Sequence, residues 1–292
     1  VTGPPEDGLP RAPEEGIVDG IAYGHWPGRE PAFLLLHGIS ANHRAFLALA
    51  PRLAPHRVVA LDMRGRGRSR QDGPTGLEQH GLDAEMVAGA LGLHRPVLTG
   101  HSLGGYAATV AAAGWRSSPL SALALLDGGV WAPWDVPEAL VRQALATSIA
   151  RLDRTFASLE DYAAWWQSAP LALPDTPARR SQQARDLVGD PGAYRSATSA
   201  ERFSADLRAI IRHRERNELL ARVEAPTLVV RAPLGLMGYE ATAMVPAEAL
   251  AAGRRAQPAL RSLDLPRANH FDMVEPPHVD RVATALLELA PA

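Results

Sequence analysis

The apolar positions of this chain fall into short unbroken runs separated by longer stretches of helical spacing. Ala32–Leu36, Arg57–Leu61, Val97–Gly100, Leu120–Leu126, Pro226–Arg231 and Leu260–Leu265 are such runs. Continuous apolar stretches of this length read as strands buried on both faces. Gly16–Trp26 alternates instead and reads as two short strands turning at Asp19-Gly20. Helices are predicted over roughly 43–53, over 77–93 with Leu82, Met86, Ala90 and Leu93 at helical spacing, over the small-residue stretch after Ser102, and over about 278–289. Strands alternating with helices predict the α/β class, with a mostly parallel sheet covered on both faces.

One stretch breaks the alternation. From Val130 to Arg222 the sequence is helical and polar and has no strand-like run, and it carries Trp131, Trp134, Tyr162, Trp165 and Trp166. Its aromatic residues read mainly as an internal core. Trp131 and Trp134 follow a strand end directly and are candidates for lining a substrate pocket. An aromatic, mostly apolar pocket suits an apolar or aromatic small molecule.

Composition narrows the chemistry. A formal net charge of −2 over 292 residues gives no electrostatic footing for nucleic acid. There is no cysteine, so thiol nucleophiles, disulfides and cysteine zinc sites are out. All thirty basic residues are arginine, which removes a P-loop lysine, a Schiff base and a Ser-Lys dyad. No window of eighteen uninterrupted apolar residues predicts a membrane span. The alanine- and arginine-rich composition suggests a GC-rich bacterial source; the compartment is left open by the absence of cysteine, and a cytoplasmic location is the expectation. Residues 1–16 read as a frayed tail without the basic start and apolar centre of a signal peptide. The missing initiator methionine leaves room for a removed leader. No metal-ligand spacing occurs, and no cofactor is expected. The oligomeric state is not legible.

The chemistry-bearing residues cluster by position. His37, Asp62, Ser102, Asp127 and His270 all fall at or just after predicted strand ends. Parallel sheets place their chemistry there. Gly100-His101-Ser102-Leu103-Gly104 is a G-x-S-x-G sequence between a strand and a helix, a nucleophile elbow. Glycines two positions before and after the serine remove side chains that would clash at so sharp a turn. The hydroxyl then sits at the positive end of the following helix.

These pieces resemble the α/β-hydrolase superfamily over nearly the whole chain. The resemblance rests on His37-Gly38, Asp62–Ser69, Gly100–Gly105 and Ala268-Asn269-His270-Phe271, in that order. It implies an eight-stranded core formed by 1–130 and 223–292, with a helical cap inserted at 131–222. It implies Ser102 as nucleophile and His270 as base. Backbone amides of Ile39 and Leu103 would form the oxyanion hole. A serine at the elbow, rather than an aspartate, argues against epoxide hydrolase and haloalkane dehalogenase chemistry.

The sequence departs from the common pattern at the acid. Most relatives carry an aspartate just after the seventh core strand, but here Val230–Gly238 has no carboxylate before Glu240. Asp127, after the sixth strand, is the favoured acid and Glu240 the alternative. Asp62 reads as structural. His101 and Ser40 are candidates for the pocket wall, although His101 is also read as shaping the turn, and His37 as holding the oxyanion loop. The arginine-rich run Ile210–Arg216 reads as a solvated helix face. The function expected is cleavage of a carboxylic ester, lactone or related acyl bond. The alternatives are carbon–carbon hydrolysis, lyase or perhydrolase chemistry on the same triad, or a small-molecule-binding protein on this scaffold.

Overall fold

The computed structural model describes residues 12–132, 134–135, 137–213 and 215–290. The chain opens with β1 (Glu14–Val18), β2 (Ile21–Trp26), β3 (Arg29–Leu36) and β4 (His56–Leu61). Then follow α1 (Leu77–Ala90), β5 (Val97–His101), α2 (Leu103–Gly114) and β6 (Ala122–Leu126). The intervening stretch holds α3 (Glu138–Ala144), α4 (Ala146–Ala150), α5 (Leu159–Gln167), α6 (Pro177–Asp186), β7 (Leu187–Val188), β8 (Arg195–Ser196) and α7 (Ala200–Arg212). The chain closes with β9 (Thr227–Arg231), α8 (Ala247–Ala256), β10 (Arg261–Asp264) and α9 (Val279–Leu287).

Eight strands form one sheet in the order β1-β2-β4-β3-β5-β6-β9-β10. The pairs β1/β2 and β2/β4 are antiparallel and the remaining pairs parallel. The carboxyl ends of β3, β5, β6 and β9 are therefore neighbours. The strands that read as unbroken apolar runs sit centrally, with β5 and β6 buried at every position. Two apolar clusters cover the two faces. One joins Leu34, Leu98 and Leu123 to α1 and α2, and the other joins Phe33, Val97 and Leu126 to α9.

Four details differ from the sequence expectation. Residues 1–11 of the predicted tail lie outside the described residues, but Glu14–Gly16 are strand, paired with β2. Glu15 helps to hold that end through ion pairs with Arg44 and Arg185. The helix predicted over 43–53 is two 3-10 turns, His43–Phe46 and Ala50–Leu53. Pro51 has no N–H for the helical bond to Leu47, so a continuous helix is interrupted there. In α1 the buried face runs through Leu77, Gly81, Ala84 and Val87, while Leu82 is exposed. Close packing explains this choice of face. A Cβ on Gly81 would stand 3.0 Å from the Ala111 Cβ of α2. Finally, the 130–222 stretch holds a two-stranded ribbon, β7 with β8, too short for any periodicity to reveal.

The helical stretch between β6 and β9 has a small core of its own, built on Phe156, Tyr162, Trp166 and Leu187. The loop after β4 reaches it through three side chains. Asp62 receives Arg185 Nε at 2.8 Å, Arg66 pairs with Asp206, and Arg68 donates to the carbonyl of Arg185 at 2.9 Å. Burial alone would raise the Asp62 carboxyl. The hydrogen bond from His43 and the Arg185 guanidinium outweigh it and hold the group well below the usual carboxylate range. Asp62 is thus a structural junction.

Candidate active site

The serine of the elbow occupies a strained backbone. Ser102 has φ 55° and ψ −120°, a region that side chains with a Cβ rarely adopt. Its surroundings enforce the turn. A Cβ on Gly104 would lie 2.1 Å from the Leu36 carbonyl oxygen, and one on Gly128 would lie 2.4 Å from the Ser102 carbonyl oxygen. Backbone bonds tie the corner to its neighbours, Ser102 N–H to Leu126 O at 3.0 Å and Gly104 N–H to His37 O at 3.0 Å. Leu103 opens α2, so its amide is among the donors that a helix leaves free at its start. Among the described residues, the Ile39 amide has no protein acceptor.

His270 follows β10 and is 3% exposed. Its Nδ1 lies 2.7 Å from Asp127 Oδ2, with Asp127 at 1% exposure. An anionic carboxylate can only accept, so Nδ1 carries the proton and donates. Asp127 stands on a left-handed backbone, φ 46°, just beyond β6. Its Oδ1 accepts from the Ala232 amide at 3.3 Å, so both carboxylate oxygens are engaged. Glu240 also borders the cavity, but it sits in an exposed 3-10 turn and the His270 Nδ1 position is taken by Asp127. The geometry pairs Asp127, and not Glu240, with His270.

Two further histidines hold the loops in place. The Met63 amide donates to His37 Nε2 at 2.9 Å, which requires His37 Nδ1 to carry the proton and donate to Gly38 O at 2.7 Å. Burial holds this imidazole neutral and pulls its pKa down to about 3. His101 Nε2 lies 2.9 Å from the carbonyl of His270, and the two rings stack 4.6 Å apart. Burial, and then the neighbouring His270, push His101 well below the ordinary imidazole range. His101 therefore positions the His270 backbone as well as lining the cavity.

Ser102, His270, Ile39 and Ser40 border a cavity of about 700 Å³. Trp131, Trp134 and Trp166 line it. Trp131 is fixed by Nε1 donating to Ile210 O at 2.9 Å and by an edge contact with Tyr106, 4.7 Å between centroids. Trp134 is 48% exposed at the cavity edge. Trp165 faces elsewhere, against Phe156 and under the Arg154 guanidinium. Within the arginine-rich run, Ile210 and Ile211 line the cavity, Arg212 pairs with Glu138, and Arg216 pairs with Asp135.

The sequence reading missed one wall altogether. Arg179, Gln182 and Gln183 of α6 border the cavity and are nearly buried. On the sequence they belong to a polar helical stretch like any other, and nothing in their spacing marks them. Among the described residues no group of three or more His, Asp or Glu side chains could hold a metal ion, and no helix is long and apolar enough to cross a membrane.

A family model described as alpha/beta hydrolase fold matches residues 31–277. A curated relative, 2-(acetamidomethylene)succinate hydrolase of Mesorhizobium japonicum, is 28% identical over 254 residues, covering 84% of this chain and 83% of its own length. The crystal structure of an E-2-(acetamidomethylene)succinate hydrolase superposes with a TM-score of 0.74 at 22% identity, covering 92% of this chain and 95% of that one. A thioesterase domain from the curacin biosynthetic pathway superposes with the same TM-score of 0.74 at 20% identity, covering 95% of this chain and all of that one.

Proposed function

The chain belongs to the alpha/beta hydrolase family, and on that premise we propose that it is a cofactor-free serine hydrolase of small acyl compounds, with carboxylic esters or lactones as its substrates. The observation that carries this reading is that His270, paired with the buried Asp127, borders the same cavity as Ser102, which is held on its strained corner.

In this reading Ser102 Oγ attacks the carbonyl carbon while His270 takes the hydroxyl proton. The carbonyl oxygen becomes an oxyanion, held by the amides of Ile39 and Leu103. Collapse breaks the bond to the leaving alkoxide, which receives its proton from His270. A water molecule, deprotonated by His270, then attacks the acyl carbon. The acid is released and the proton returns to Ser102. Asp127 keeps the proton of the resting imidazole on Nδ1, leaving the other ring nitrogen for the serine, and stabilises the imidazolium that forms. The stretch 131–222 acts as a cap over the reaction centre.

The test is treatment of the purified protein with a small fluorophosphonate, followed by intact mass and peptide mapping. One phosphonyl group on Ser102, absent from His270→Ala, is the expected result. An unlabelled protein that nevertheless cleaves esters would overturn the assignment. A second reading has a specific source. The relative named as a hydrolase of an acetamido compound favours the same three side chains acting on an acyl bond other than an ester. Product analysis with matched ester and amide substrates separates the two.

A further inference from the structure

Tyr106 stands one turn into α2, and its N–H donates to the Ser102 carbonyl at 3.3 Å. Helical side chains lean towards the N-terminus of their helix, so this ring is carried back towards the corner that bears Ser102. It borders the reaction cavity, is 6% exposed, and meets the edge of Trp131. Tyr106, Trp131 and Leu207 belong to one apolar cluster, with Ile210 packed against it.

The hydroxyl is the exception in that wall. Among the described residues it has no hydrogen-bond partner, yet it is not one of the unpaired polar atoms that the fold seals from solvent. It therefore keeps accessible surface, on a side chain that lines the cavity. Burial, and then the charge of Asp127, push the phenol well above its ordinary range, so it stays protonated and offers an O–H. For a purely hydrocarbon ligand, phenylalanine would supply the same ring without a hydroxyl to desolvate. An anion is disfavoured beside this group by the same charge of Asp127. The cavity arginines do not compensate, because Arg179 pairs with Glu275 and Arg216 with Asp135.

The direction of the reaction assigns the side. His270 protonates the leaving group, which places the alcohol part beside His270 and its neighbour Phe271. Tyr106 projects from α2 instead, against Trp131. The geometry points to Tyr106 as a specificity-determining residue whose hydroxyl donates a hydrogen bond to a second, uncharged oxygen in the acyl part of the substrate, such as a keto oxygen, apart from the reacting carbonyl. The substrate class is an oxygen-bearing acyl compound with an otherwise apolar body. This deepens the proposed hydrolase reading and rests on its placement of the reaction at Ser102.

The test compares the phenyl esters of 4-oxo-, 5-oxo- and 6-oxoheptanoic acid with those in which a methyl group replaces the keto oxygen. A merely apolar wall would prefer the methyl partner at every position. In the unmodified protein at least one oxo ester is expected to exceed its partner in kcat/KM by about threefold, and Tyr106→Phe is expected to lower that ratio about tenfold. Methyl partners preferred throughout by the unmodified protein overturn the proposal without recourse to the variant. A ratio unchanged in Tyr106→Phe, whatever the loss of rate, also overturns it, because the hydroxyl would then serve the reacting oxygen or the fold.

The reading of Ser102 is judged apart, by fluorophosphonate labelling. Should no ester be cleaved, Tyr106→Phe is read by binding, with heptan-4-one against 2-propylpent-1-ene, in which a CH₂ group replaces the carbonyl oxygen. The fluorescence of the cavity tryptophans follows both, and neither can be hydrolysed. A fall of about tenfold in the preference for the ketone would uphold the hydroxyl as a donor while the hydrolase reading falls. An unchanged preference would overturn the proposal as well.

Discussion

Arg185, at the end of α6, donates through Nε to Asp62, on the loop after β4, at 2.8 Å, with the two side chains 4% and 0% exposed. The bond spans 123 residues and ties the helical stretch to the sheet beside the cavity. Asp62 also receives the His43 backbone amide at 2.9 Å and the Arg68 amide at 2.8 Å, so its carboxylate is fully committed. Removing the guanidinium leaves a buried anion short of its partner. Arg185→Met is expected to lower stability by about 3 kcal/mol. Urea unfolding measures it, and a change of under 1 kcal/mol would show that the junction is not held by this pair.

The strain at Ser102 makes a second prediction. Glycine adopts positive φ without the cost that a Cβ imposes. Ser102→Gly is therefore expected to be inactive yet about 1 kcal/mol more stable than Ser102→Ala. Equal urea midpoints for the two variants would mean that the corner at φ 55° carries no strain.

The choice of acid is tested by two substitutions. Asparagine tolerates the left-handed backbone of Asp127, so Asp127→Asn removes the charge and leaves the turn. It is expected to lower kcat by about 10⁴. Glu240→Gln, in its exposed turn, is expected to stay within about threefold of the parent. The reverse ranking in ester hydrolysis would move the acid to Glu240.

Stability should depend on pH through His37 and His101. Burial depresses both imidazoles in the folded protein, His37 to about 3. The unfolded chain, with ordinary histidines near 6.5, binds protons more readily than the folded chain below that pH. The stabilisation is complete above about pH 6.5 and is lost as the pH falls towards the folded values, by about 1.4 kcal/mol per unit for each histidine. Urea midpoints from pH 8 to pH 4 should be flat above about 6.5 and fall below it. A flat profile down to pH 4 would show that neither histidine is held neutral.

The order of elements, the parallel sheet and the corner at Ser102 were legible because they are local. Unbroken apolar runs such as Leu34–Leu36 and Val97–Leu98 mark buried strands, and the spacing of Gly100, Ser102 and Gly104 marks a turn that larger residues would block. Local reasoning went astray where a single contact overrode the pattern, as with Leu82 left in solvent while Gly81 meets Ala111. The pairing of His270 with Asp127 rather than Glu240 could be favoured on the sequence but not fixed there. It depends on β6 and β9 lying side by side, so that residues 143 apart in the chain meet at 2.7 Å. The polar wall of the cavity left no mark at all. Arg179 and Gln183 differ from the solvated residues of any polar helix only in being laid over the sheet, and whether a polar side chain meets water or a cavity is determined by packing between segments that the sequence keeps far apart.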